Sequence, residues 1–225
     1  MAKKWADRLQ RYVPRYAVWP MAAWFTLNAL VYWGARLINR HAVYHDLSLP
    51  IDRQLPFVSF FIVFYVLAYV SWFIGYLLPC REKPEKCGVP FADMLAKLLC
   101  FAVFIAYPTC VDRPSAEGAG VFAWMTRVIY FFDEPNTLFP SIHCLESWVI
   151  WRGMWGCRSI SRPVKAFFLA FALLVFASTL LIKQHVIVDI PAAIAVGEIG
   201  LWLERRLGLG RRYARHVRDG GRTAC

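Results

Sequence analysis

The feature that most constrains this chain is an absence of charge over two long stretches. Between Arg53 and Arg81, and again between Lys165 and Lys183, there is no Lys, Arg, Asp or Glu. A helix needs about 20 apolar residues to cross the hydrocarbon core of a bilayer, and soluble cores seldom need such runs. Of the 225 residues 59% are apolar and 18% charged, where soluble domains carry about a quarter charged. The pattern specifies an all-α, polytopic membrane protein built as one domain.

Six spans are expected, at residues 19–38, 55–78, 94–111, 136–155, 166–182 and 186–203. The fourth is weak by hydropathy, because it holds His143, Glu146 and Arg152, and it rests partly on parity. Lys97 is expected near the end of the third span, where its side chain snorkels to the interface. With six spans both termini share one side, which collects 20 of the Lys and Arg residues. The other side keeps six: Arg36, Arg40, Arg53, Arg113, Arg127 and Lys183. The positive-inside rule then puts both termini in the cytoplasm. Residues 1–18 form a basic cytoplasmic N-terminus, 19–204 the six-helix membrane domain, and 205–225 a basic tail, solvated or resting on anionic headgroups.

This topology accounts for the net charge of +11 without a nucleic-acid partner. No cleavable signal peptide is evident, since a basic, polar start leads into an apolar run that is too long. Seven cysteines show no paired CxxC spacing, and neither Cys80 nor Cys87 has partners nearby for a zinc site. Free thiols are the expectation, with a Cys110–Cys144 bond left open. Between the third and fourth spans, residues 115–120 are small and expected to be mobile. Residues 121–132 are apolar but too short to cross. They either lie flat at the interface, walling a site from lipid, or form a packed loop.

Polar groups at membrane depth are costly, so each is a functional candidate. Under six spans, three distant stretches meet at the outer edge: Asp112-Arg113-Pro114, Phe139-Pro140-Ser141-Ile142-His143, and Lys183-Gln184-His185 with Asp189. His185 and Asp189 are four apart and share a face of the sixth helix. A carboxylate there holds one ring nitrogen protonated and leaves the other free to attack. Pro140 and Ser141 open the fourth helix, whose first amides and dipole favour an anion. His143 is placed to protonate a leaving alkoxide, Ser141 adds a hydroxyl, and Arg113 offers a fork that suits phosphate oxygens. The plainer readings are a His143–Glu146 pair three residues apart, a structural His185–Asp189 hydrogen bond or proton relay, and Arg113 as an interface anchor.

Arg113-Pro114, Pro140-Ser141-Ile142-His143 and His185 with Asp189 resemble the three signature motifs of the type 2 phosphatidic acid phosphatase superfamily. The resemblance covers roughly residues 55–203, and Leu55-Pro56-Phe57 is similar to the branch of inositol phosphorylceramide synthase-like proteins. It implies a metal-independent lipid phosphatase or phosphotransferase with no cofactor, acting on a lipid phosphate and, for transfer, a lipid acceptor. His185 would be the nucleophile forming a phosphohistidine, Asp189 its orienting partner and His143 the general acid, with Arg113 and Ser141 binding phosphate. It also points to a bacterial inner membrane, with the site facing the periplasm or exterior. Two cations of the pattern are missing, since Ala106 and Thr179 stand at their positions. Lys183, one turn beyond Thr179 on the same face of the fifth helix, is expected to restore one, so that Lys183→Met weakens substrate binding. The rivals are a proton-coupled transporter using His185, Asp189 and Glu198, and a catalytically dead scaffold.

Overall fold

The structure, a computed structural model, describes residues 10 and 12–222. Lys3, Lys4, Arg8 and Arg11, counted above in the basic N-terminus, lie outside the described residues. In chain order the elements are α1 (Arg15–Asn39), β1 (His45–Asp46), α2 (Pro50–Gln54), α3 (Ile62–Glu82), α4 (Gly88–Ala106), β2 (Thr109–Cys110), α5 (Val121–Phe132), α6 (Ile142–Met154), α7 (Arg162–Leu181), α8 (Asp189–Leu207) and α9 (Leu209–Arg222). The fold is all-α apart from β1 and β2, which pair in parallel through two residues each. Among the described residues three helical stretches are long and apolar enough to cross a membrane: Ser59–Glu82, Pro84–Ala106 and Arg162–Leu181.

The helix ends follow local chemistry. The third expected span shifts back to Gly88–Ala106 because Tyr107 precedes Pro108, and the residue before proline is pushed out of the helical region. Ser161 and Pro163 open α7, and Gly208, at φ +63°, closes α8. The largest shortening is in the fourth expected span, from 20 residues to 13. Residues 136–141 are not helical, because their backbone is committed to Thr109. The Thr137 amide donates to its carbonyl at 2.8 Å, and those of Leu138 and Phe139 to its hydroxyl at 3.2 and 3.0 Å. The helix that remains, α6, has 13 residues, about 20 Å of rise, shorter than a bilayer core.

α6 packs against α3, α7 and α8, and α4 packs against α1 and α8. Trp72, Tyr76, Leu145, Val149, Ile150 and Phe168 belong to the core between them. At Gly200 an added Cβ would run into the Ala92 carbonyl oxygen, so α8 and α4 approach as only small residues allow. Residues 121–132 form a true helix, α5. Its Phe122, Met125 and Ile129 pack on Ile62, Tyr65 and Ile182, while Val121, Trp124, Phe131 and Phe132 stay exposed. The segment before it is tied down, with Arg127 donating to the carbonyls of Ala116 and Gly118. The basic tail is helical as well: Tyr213 donates to the Tyr16 carbonyl at 2.5 Å, and Arg218 pairs with Glu85.

Lys97 does not snorkel. It lies in the middle of α4 with no exposed surface, its Nζ 2.8 Å from Asp93, in contact with Glu146 of α6 and 4.9 Å from the centre of the Trp24 ring. Removing the cation leaves two carboxylates facing each other in an apolar interior. Lys97→Met is expected to cost about 3–5 kcal/mol of stability, read as a lower unfolding midpoint in detergent. Glu146→Gln, which leaves one matched pair, should cost clearly less.

Candidate active site

His185 sits in the turn between α7 and α8, and its position is over-determined. The amides of Gln184 and His185 both donate to the Thr179 carbonyl, at 2.9 and 3.1 Å. Lys183 takes a left-handed conformation, φ +55°, so the chain leaves α7 sharply. Nδ1 of His185 lies 2.8 Å from Oδ2 of Asp189, an oxygen that also accepts the Val186 amide at 3.2 Å. Because α8 begins at Asp189, the pair closes across the turn that precedes the helix rather than along one helical face. The effect on the ring is that a carboxylate on Nδ1 fixes the proton there and leaves Nε2 as the free lone pair.

His143 is in the first turn of α6, and its ring centre is 6.3 Å from that of His185. It is boxed by aromatic rings of α3. Tyr65 stacks on it at 4.0 Å and 19°, while Trp72 and Tyr69 meet it edge-on at 4.9 and 5.5 Å. Among the described residues its Nε2 has no hydrogen-bond partner. The pairing with Glu146 does not form, since Glu146 is turned to Lys97. Ser141 is fully buried at the N-cap of α6 and accepts the Cys144 amide at 3.3 Å.

The two expected cations are engaged elsewhere. Arg113 donates to the carbonyls of Asp133 and Glu134, at 2.5 and 3.1 Å, and lies 4.9 Å from the Tyr130 ring centre. Its Nε is buried without a partner among the described residues, and burial pulls its guanidinium below the usual range. Lys183 lies beyond the end of α7, so it does not continue the Thr179 face. Its Nζ donates to the carbonyls of Asp52 and Leu55, at 2.8 and 2.6 Å. Cys110 and Cys144 are both free thiols. Among the described residues no group of three or more His, Cys, Asp or Glu side chains is arranged to hold a metal.

Two cavities meet at His185. One, of about 300 Å³, has aromatic walls that include Tyr32, Tyr69 and Trp72, and it also holds Asp133 and His143. Its lining includes Phe25, Trp33 and Phe132, each more than half exposed on the outside. The other, of about 440 Å³, is walled by Asp46, Asp52, Arg53, Asp112 and Lys183. Asp133 and Asp52 are the carboxylates that motif reading missed. Asp133 stands at the end of an apolar helix with no pattern around it. Asp52 accepts the Leu49 amide at the start of α2, a half-cap that leaves no signature because leucine offers no acceptor in return. No family model, curated protein or solved structure matches this chain.

Asp52 and Lys183 together lash α2 to the His185 turn, because Asp52 also accepts the amides of Ile187 and Leu49, each at 2.8 Å. Asp52→Asn and Lys183→Met are each expected to loosen that turn by about 1 kcal/mol. Amide exchange at Ile187 should then speed up about fivefold, while exchange at the middle of α4 stays as it is.

Proposed function

We propose that this chain is an integral membrane lipid phosphatase or phosphotransferase of the type 2 phosphatidic acid phosphatase kind, close to the inositol phosphorylceramide synthase-like branch. The observation that carries the reading is the His143–His185 approach of 6.3 Å with Asp189 on His185 Nδ1. In the reaction the Nε2 lone pair of His185 attacks phosphorus, and the bond from phosphorus to the leaving oxygen breaks. His143, entering as the imidazolium, protonates that oxygen. In the second half His143 takes a proton from water or an acceptor alcohol, whose oxygen displaces the histidine. The open first amides of α6 offer donors to the phosphate, with Ser141 capping that helix start and Arg113, held on the Asp133 and Glu134 carbonyls, contributing its positive charge alone. Lys183 serves by fixing the turn.

The joining of an aromatic cavity to a charged one favours transfer over hydrolysis. A lipid alcohol fits the first, beside His143, and a polar headgroup larger than phosphate has room in the second. The transporter reading loses one of its members, since Glu198 is held by Arg152 at 2.5 Å and Trp148 at 2.9 Å. The proposed topology is six spans with both termini cytoplasmic, which puts the site at the periplasmic or outer face of a bacterial inner membrane. It is supported by the 20-to-six partition of basic residues.

The test is a panel of phosphatidic acid, lipid diphosphates and phosphodiester lipids, each with and without an alcohol acceptor such as ceramide. Purified protein should turn over at least one of them, and His185→Ala should reduce that turnover by about a thousandfold. Turnover that survives His185→Ala and ignores vanadate would return the site to the transporter reading.

A further inference from the structure

Two helices that wall the aromatic cavity, α1 and α3, converge on one carboxylate. Asp133 Oδ1 accepts the Tyr32 hydroxyl of α1 at 2.5 Å, and Oδ2 accepts the Tyr65 hydroxyl of α3 at 2.9 Å. Its carbonyl accepts from Arg113 at 2.5 Å, and Arg36 reaches the Tyr32 oxygen at 3.2 Å. Nothing in this web has a structural need for a charge at the end of α5, because a neutral amide could accept from one phenol and donate to the oxygen of the other. The consequence of the charge appears one residue further in. Tyr65 is 1% exposed, and its ring lies face to face with His143 at 4.0 Å.

We infer that Asp133, acting through Tyr65, is a positioning residue for His143, holding the phenol ring against the imidazole so that its protonated form is favoured. The inference rests on the function proposed above, in which His143 must enter the reaction as a cation. A phenol that donates to a carboxylate gains electron density on its ring, and the face of an electron-rich ring attracts a cation. The stack fixes the plane of the imidazole at the same time. Other charged or titratable groups facing His143 are few. His185 stands at 6.3 Å with Asp189 behind it, and Tyr69 meets the imidazole edge-on. Arg113 reaches only the far side of Asp133, and Glu146 on the same helix is taken by Lys97.

The direct test needs no substrate. Histidine labelled with ¹³C in the full chain, in detergent micelles, gives a His143 resonance assigned by its loss in His143→Gln. Asp133→Asn and Tyr65→Phe are each expected to move its titration about half a pH unit toward acid, roughly a threefold loss of proton affinity. The double variant should move it no further than Tyr65→Phe alone. On an active lipid from the panel, the pH–rate limb that reports His143 should move equally. Tyr65→Phe keeps the ring and removes one hydroxyl, so it carries the test should Asp133→Asn fail to fold. Unmoved titration in Tyr65→Phe, or shifts that add in the double variant, would overturn the inference. A chain that shows the shifts yet turns over no lipid supports the coupling and overturns the enzymatic reading alone.

Discussion

An interior this apolar can hold ionisable groups only in sets that neutralise or hydrogen-bond one another, because an isolated charge there loses far more hydration than any single contact returns. The bundle meets that constraint in three places. Lys97 stands between Asp93 and Glu146, His185 leans on Asp189, and Asp133 accepts two phenols. Each set bridges separate elements, so the packing of the helices and the state of the charges are one problem. The first set locks α4 to α6. The second fixes the turn that enters α8. The third binds α1 and α3 to the end of α5, and with them the wall of the aromatic cavity.

That coupling explains what could be read from the chain in advance. Charge-free runs gave α7 to within four residues at each end and the body of α3, which starts seven residues later than expected, because length and apolarity are local properties. Lys97 was misread because one of its two partners, Glu146, is 49 positions away, and the other, Asp93 one turn earlier, fits a snorkelling lysine as well as a buried one. α6 was read too long for the same kind of reason. What stops it at Ile142 is the hydroxyl and carbonyl of Thr109 capturing the backbone of residues 137–139, a contact between segments that hydropathy cannot register.

The candidate site divides along the same line. His143, Ser141, His185 and Asp189 stand out because each carries a costly polar group beside an apolar run, and the fold brings the two histidines together. Arg113 and Lys183 stand out equally in sequence, yet the structure turns both toward backbone carbonyls. A motif records which residue types a site requires; whether a cation meets the ligand or holds the loop that does is decided by the neighbours. Asp133, Tyr65 and Tyr32 escaped notice because none is odd for its surroundings. A tyrosine in a membrane helix is ordinary until its hydroxyl finds a carboxylate.

The shortness of α6 ties these points together. At 13 residues it is shorter than its neighbours α3, α4, α7 and α8, and the groups at its start, Ser141 and His143, are buried rather than at the surface. Residues 136–138 and the end of α5 close one side of the aromatic cavity, and α1 and α3 supply most of its other walls. An imidazole left exposed to water would gain little from stacking, so burial of the helix start strengthens the contact of His143 with Tyr65.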